Sequence, residues 1–536
     1  MKLKYVIIIF LFIISKTFSQ EKEKVLFTIN NEPFYTHEFL KVYKKNLTLM
    51  PSSEENSIET YLNLFVTYKL KVKEAKDLKL DTLPKFRREL NTYKSKLILP
   101  YLKDEQTTEK LVNEAYERLQ KEVEVSHILI NLKPNYTFSD TLEAYNKLLQ
   151  ARDLVLKGSS FSEVAKKYSE DPTVSQNNGN IGYFTALQMV YPFENIAYST
   201  PISEISMPFR TKFGYHILKV HNIRKARGEV EVAHIMIEGD TGKSKTTIDS
   251  IYKELVINKT NFENIATKLS EDRASAVNGG KLPKFGTGQM IEEFTDMAFS
   301  LTNENTISKP FKTPFGWHII KLIKKYPLES FDKLKSKIRQ QIEKDERSKL
   351  IEKSLINKLS KLYAINVNKN ALRQFQIDDW KNNNKNFQKL LLTIETKEIN
   401  QLKFINYLKR NNLSDIYTAF SLFKENEILN YYKENIEKTN AEFAAIFKEF
   451  KEGLLLFDLL EKKVWTKSKE NEGLIHFYAL HKEDKYKNKA FENIKGIVIT
   501  DYQNELEKIW INELHKKYNV KFNNSEKKKI LKTNFK

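Results

Sequence analysis

Apolar and polar positions follow different periods in different parts of the chain. Val25-Leu26-Phe27-Thr28-Ile29 is a short β-branched run that reads as a strand, Asn30-Asn31 marks a turn, and from about Thr36 the residues Phe39, Leu40 and Tyr43 fall at helical spacing. Helical spacing continues from Ile58 to about Leu78 through Leu62, Phe65, Leu70 and Ala75, in a helix opened by Pro84, and in another from about Thr108 to Gln120. Residues 20–120 are therefore expected to form a helical module begun by a strand.

The next 200 residues say nearly the same thing twice. Val125-Ser126-His127-Ile128-Leu129-Ile130, Ser169-Glu170-Asp171, Gln188-Met189 with Phe193, and Phe213-Gly214-Tyr215-His216-Ile217 recur as Val232-Ala233-His234-Ile235-Met236-Ile237, Ser270-Glu271-Asp272, Gln289-Met290 with Phe294, and Phe315-Gly316-Trp317-His318-Ile319. The Asp, Met and Phe recur at an interval of 101 residues and the closing His at 102. Each copy starts with a strand around its first His, passes through helices (141–156 and 161–167; 245–256 and 262–269), and ends in a strand around its last His. A fixed period of this length is a tandem domain duplication, placed at 121–224 and 229–326 with the short charged linker 224–228 between. Strands alternating with helices over so few residues predict a small sheet with helices packed on it.

From Phe331 the pattern is helical again, through Leu334, Ile338 and Ile342, then Leu355, Leu359 and Leu362, and it closes in the strand-like Tyr363-Ala364-Ile365-Asn366-Val367 (327–370). Residues 371–524 carry an echo. Leu392-Thr393-Ile394, Ile399, Phe404 and Ile405 align on Phe27-Thr28-Ile29, Phe34, Phe39 and Leu40 at an offset of 365, and Leu506, Trp510, Leu514, Tyr518, Val520 and Phe522 align on Ile351, Leu355, Leu359, Tyr363, Ile365 and Val367 at 155. The C-terminal part thus reads as a second copy of the helical module without the inserted repeats, followed from Ser525 by a mobile basic tail.

Composition narrows the compartment. Lys2 and Lys4 precede an apolar run from Val6 to Ile14, with Thr17 and Ser19 before Gln20. That run is too short for a hydrocarbon core of about 30 Å, so 1–19 reads as a cleaved secretory signal with no transmembrane anchor after it. With no cysteine there is no disulfide, thiolate nucleophile or lipidated Cys. The net charge of +20 mixes 89 Lys and Arg with 69 Asp and Glu. It reads mainly as solvated helix faces, with no nucleic-acid partner expected. No H-E-x-x-H, G-x-S-x-G or helical His pair appears, so no metal or cofactor is expected; Gly242-Lys243-Ser244 lacks the upstream Gly of a phosphate loop, having Ile237 there.

Taken together, the His-Ile, Ser-Glu-Asp, Gln-Met…Phe and Phe-Gly-aromatic-His-Ile segments resemble the parvulin-type peptidyl-prolyl isomerases. The resemblance implies an α+β chain: two parvulin-like domains, each a small antiparallel sheet wrapped by helices, flanked by helical modules. It implies substrate contacts at Ile181, Gln188, Met189 and Phe193, and at Leu282, Gln289, Met290 and Phe294. It implies catalytic positions at His127, Asp171 and His216, and at His234, Asp272 and His318, although a strand His among apolar neighbours reads on its own as a buried structural group. Departures are Asn178-Gly179 in place of Gly-Gly, Pro283 where the first repeat has Gly182, and no Gly in 202–204 or 303–306. Lys133 alone after His127 argues against phosphate-directed recognition. The whole arrangement is similar to periplasmic chaperones of outer-membrane proteins. The expected function is an exported isomerase acting on unfolded or newly translocated clients, outer-membrane proteins among them, or a non-catalytic holdase using the same folds as binding platforms.

Overall fold

A computed structural model describes residues 24–47, 58–133, 136–239, 241–377, 380–381, 386–411 and 415–532; the signal segment 1–19 lies outside them. The strands are β1 (Val25–Ile29), β2 (Glu32–Tyr35), β3 (Lys121–Asn131), β4 (Asn180–Phe184), β5 (Phe209–Arg210), β6 (Gly214–Lys225), β7 (Glu229–Glu238), β8 (Phe285–Gly286), β9 (Phe311–Thr313), β10 (Gly316–Tyr326), β11 (Ile365–Val367), β12 (Leu390–Ile394), β13 (Lys397–Asn400) and β14 (Val520–Phe522). Contacts divide the chain into two compact units, one from Tyr101 to Leu429 and one made of the two ends, Met1–Pro100 with Asn430–Lys536.

In the first of these units each repeat forms an antiparallel four-stranded sheet, in the orders β4-β3-β6-β5 and β8-β7-β10-β9. Alternation along a strand sends side chains to two faces. Ile128, Ile130 and Ile217 pack under the helices Phe138–Leu156 and Phe161–Tyr168, while Val123, Val125, Leu218 and Val220 pack under the helix Tyr191–Ser199. His127 and His216 share that second face, because His127 stands opposite Leu218 and Leu129 opposite His216. The linker is tied down at Glu122, which is buried and takes Arg224 Nε at 2.8 Å, the Arg227 N–H at 2.9 Å and the Thr287 hydroxyl of the second repeat at 2.8 Å.

The helix Glu105–Leu119 packs its Leu111, Val112 and Ala115 on Ile338, Ile342 and Ile351. It therefore belongs with 331–362, not with the N-terminal module in which its position along the chain placed it. A boundary at 370 likewise falls inside a fold, since β11 (365–367) is an edge of the sheet β11-β12-β13.

The echo between the modules is real, and its halves are exchanged. In the unit formed by the chain ends, β1 pairs with β2 and β14; in the other, β12 pairs with β13 and β11. Val520 faces Ile29 as Ile365 faces Ile394. The hydrogen bonds repeat as well: Asn30 N to Asn519 O (3.0 Å) matches Glu395 N to Ala364 O (2.8 Å), and Asn523 N to Leu26 O (2.9 Å) matches Asn368 N to Leu391 O (2.9 Å). Two tandem copies would pair β1 with β11 and β12 with β14; the structure pairs β11 with β12 instead. Loop closure favours the choice. The β11–β12 connection spans only 368–389, whereas β1–β11 would close 30–364; the β1–β14 closure, longer than β12–β14 would be, offsets about half of that gain and leaves about 1 kcal/mol of chain entropy in favour of the exchange.

The expected mobile tail is also corrected. Asn523 Oδ1 accepts the Glu526 N–H (3.3 Å) at the start of a helix, Asn524–Lys532, whose Ile530 is buried in the same apolar core as Leu26, Phe27, Leu62 and Leu514.

Candidate functional site

The Ser-Glu-Asp segment works as a fastener that delivers its carboxylate to the first histidine. Ser169 Oγ accepts the Leu129 N–H (3.2 Å), the Glu170 N–H donates to Leu129 O (2.7 Å), and Glu170 Oε2 accepts the Asn131 N–H (2.9 Å). Ser270 and Glu271 make the same bonds to Met236 and Glu238 in the second repeat. Three consecutive residues are thus zipped to the strand, and Asp171 Oδ2 stands 2.8 Å from His127 Nε2, as Asp272 Oδ2 stands 2.7 Å from His234 Nε2.

The glycine that pairs directly with the first histidine has a packing reason. A Cβ on Gly179 would lie 2.8 Å from His127 O, and one on Gly280 would lie 2.2 Å from His234 O, where each glycine carbonyl receives the His N–H at 2.8 Å. Asn178, in place of the other glycine, takes φ 55°, a left-handed conformation that Asn tolerates. Ser203 (φ 71°) and Asn305 (φ 66°) fill the remaining glycine-less turns in the same way.

The polar groups form a chain with one consistent proton placement. In the first repeat the His127 and His216 Nδ1 atoms are 3.4 Å apart, and His216 Nε2 is 2.8 Å from Thr211 Oγ1, which accepts the Phe213 N–H at 3.1 Å. Burial alone would raise Asp171, but hydrogen bonds from Thr173 and His127 outweigh it and hold the carboxyl below its usual range. An ionised Asp171 only accepts, so His127 carries its proton on Nε2 and accepts at Nδ1. His216 then donates from Nδ1 and accepts the Thr211 hydroxyl at Nε2. Burial pushes His127 down against the pull of Asp171, and burial together with His127 pushes His216 down to about 3. Both imidazoles are neutral at neutral pH. The second repeat keeps the two ends of the chain, with Thr313 on His318 Nε2 (2.7 Å) and Ser275 Oγ also on His234 Nε2 (3.0 Å), and His318 is pushed down to about 4 by burial and His234. His234 Nδ1 and His318 Nδ1 lack a hydrogen-bond partner there.

The apolar part stands against this chain. Phe193 meets His127 and His216 edge-on, each at 5.6 Å between ring centres, and Phe209 stacks on His216 at 5.5 Å. Ile181 and Met189 are half-buried against the same cluster. Phe294, Phe311 and Leu282 do likewise beside His234 and His318, with Met290 more open at 38% exposed. Phe209 and Phe311, and Thr211 and Thr313, are members that the motif reading missed; Phe209-x-Thr211 and Phe311-x-Thr313 are the signal that would have found them. The glutamine side chains are engaged within the protein: Gln188 Oε1 accepts the Thr185 N–H (2.8 Å) and its Nε2 donates to Thr287 O (2.8 Å), while Gln289 Oε1 accepts the Gly286 N–H (2.9 Å). Their side-chain oxygens lock a turn, because the turn leaves a backbone donor that needs an acceptor.

Residues 109–224 and 218–326 each match the PPIC-type PPIASE domain family. The chain carries two parvulin-type domains in tandem. It is 33% identical over 217 residues to a chaperone SurA of Pseudomonas syringae pv. tomato, covering 38% of this chain and 50% of that protein. It is 30% identical to a chaperone SurA of Photobacterium profundum, covering 39% and 49%. The chain thus spans about half the length of the curated relatives it matches. Among solved structures, the peptidylprolyl isomerase PrsA of Bacillus anthracis is 31% identical over 25% of this chain and 61% of its own, with a TM-score of 0.19. No helix among the described residues is long and apolar enough to cross a membrane.

Proposed function

We propose that both parvulin-type domains are peptidyl-prolyl isomerase sites and that the chain is a periplasmic folding chaperone, exported by its N-terminal signal, for unfolded or newly translocated proteins, including outer-membrane proteins. What carries this reading is the apolar wall of Ile181, Met189, Phe193 and Phe209 set against a neutral, buried imidazole pair anchored by Asp171 and Thr211, and the recurrence of the wall, the pair and its Asp and Thr anchors in the second domain. Rotation about X-Pro faces a barrier of about 18–20 kcal/mol because the planar amide is resonance-stabilised. A dry pocket that grips the proline ring while the preceding carbonyl swings favours the twisted state, and lowering the barrier by about 4 kcal/mol gives roughly a thousandfold acceleration. The histidines act here as the rigid floor of the pocket and need not transfer a proton.

The test is prolyl isomerisation of a peptide by the full chain carrying Met189→Ala with Phe193→Ala, Met290→Ala with Phe294→Ala, or all four. Each pair is expected to remove one domain's contribution and the quadruple variant all of it. Full activity in a folded quadruple variant refutes the pocket.

A holdase role is favoured by exposed apolar side chains on the helices outside the repeats, such as Phe457 (54% exposed), Leu480 (64%) and Ile497 (58%). The quadruple variant, and a chain with 121–326 replaced by a flexible linker, are then expected to keep suppressing client aggregation. If only the repeats suppress it, client holding moves to the parvulin-type domains.

A further inference from the structure

The two domains differ at the lip of the pocket, the segment that carries its Met and Phe. In the first domain Leu187 adopts φ 68°, a backbone conformation that costs a leucine; the equivalent residue of the second domain is Gly288, at φ 79°. The strained leucine is held from three sides. Its side chain and that of Tyr191 pack into the cluster of Leu111, Val112, Ala115, Ile338 and Ile342. Its N–H donates to Glu194 Oε2 at 2.8 Å. Glu194 is fully buried, and its Oε1 takes Arg118 at 3.0 Å and Arg347 at 2.5 Å. Arg347 is itself fully buried and lies 4.3 Å from the centre of the Tyr191 ring. The second domain has Glu292 and Thr295 where the first has Tyr191 and Glu194, so it carries neither the apolar anchor nor the buried acid.

A buried ion pair is a costly way to gain stability and a good way to impose one geometry. We propose that Arg347 is a positioning residue for the first proline pocket: through Glu194 it holds the lip from Leu187 to Glu194, and with it Met189 and Phe193, in the shape that receives the proline ring. Pocket and scaffold are joined at this point, since Arg347 begins the helix Arg347–Leu362, which leads directly into β11. The inference rests on the reading of Met189 and Phe193 as pocket walls.

The experiment uses the full chain with Met290→Ala and Phe294→Ala, so that only the first domain is read. Into it are placed Arg347→Lys, and Arg347→Met together with Glu194→Gln, which removes both charges and keeps an acceptor for the Leu187 N–H. The dissociation constant of a proline-containing peptide and KM are expected to rise about tenfold in the double variant, with kcat nearly unchanged and an intermediate effect for Arg347→Lys. In the reciprocal background, with Met189→Ala and Phe193→Ala, the same changes should leave the second domain's turnover untouched. A folded double variant with unchanged peptide affinity and KM overturns the proposal, and so does an equal loss in both domains. If the double variant does not fold, an unaltered KM in Arg347→Lys overturns it. If Met189→Ala with Phe193→Ala itself changes neither binding nor turnover, the pocket reading fails instead.

Discussion

Lowering the pH from 7 to 5 should destabilise both parvulin-type domains before it affects any carboxylate in their sites. His216 has its pKa held down to about 3 and His318 to about 4, each by burial first and a neighbouring imidazole second. Unfolded, each would titrate near 6.5. Between the folded and unfolded values the unfolded chain binds more protons, so stability rises with pH across that window, is complete above about 6.5, and is lost as pH falls below it. At pH 5 a group shifted this far has lost about 2 kcal/mol relative to pH 7, hence roughly 2 kcal/mol in each domain from this one histidine. His127 and His234 act in the same direction, while Asp171 and Asp272, held low, contribute only at more acid pH. Nitrogen-15 NMR of the imidazoles reads this directly: His216 should stay neutral, protonated on Nδ1, to below pH 5, and His127 should be protonated on Nε2. Because His216 stays uncharged and burial biases His127 the same way, isomerisation should show no step from His216 titration between pH 6 and 8. A His216 midpoint near 6.5, or a rate that follows such a midpoint, would refute the proton placement and the passive role of the pair.

The chain has no cysteine, so designed cross-links report strand pairing cleanly. Thr28→Cys with Lys521→Cys, registered opposite each other at the usual 4.5–5.5 Å between Cα atoms, should oxidise and raise the melting temperature, whereas Thr28→Cys with Asn366→Cys, the pairing of unexchanged tandem copies, should stay reduced under the same oxidant. In the unit formed by the chain ends, Lys69 and Glu452 are both buried with Nζ and Oε2 at 2.7 Å. Glu452→Ala should cost about 3–5 kcal/mol in denaturant unfolding by stranding the ammonium, and Lys69→Met with Glu452→Met should recover most of it; equal stability of the single and double variants would show the pair to be uncoupled.

The repeats are legible in the sequence because their constraints are local. A Ser that must accept a strand N–H, an Asp that must reach a His, and a Gly that must pass beneath a carbonyl each demand one residue type at one spacing, and the chain writes them twice. Helix positions are legible for the same reason, through apolar spacing. Affiliation is not legible. Leu111, Val112 and Ala115 mark one face of a helix without saying that the face meets Ile338 and Ile342 more than 200 residues later. Ser525 onward looks like a basic tail because five lysines in 527–532 and 536 outweigh the single Ile530 that anchors it.

The exchange of module halves shows where pattern matching reaches its limit. Offsets of 365 and 155 establish that β1 resembles β12 and that β14 resembles β11, and any pairing of a first half with a second half satisfies those likenesses equally. What breaks the tie is chain connectivity, which side-chain patterns do not encode but residue numbers do: β11 meets β12 across 368–389, and β1 is left for the last strand of the chain. The same logic separates the two pockets. Their motifs are equivalent residue for residue, and the difference lies at Leu187, Tyr191 and Glu194, residues outside the motif whose partners Glu114, Arg118 and Arg347 stand on other elements. A motif records what a site needs from itself; what the rest of the chain imposes on that site is recorded in positions the motif leaves free.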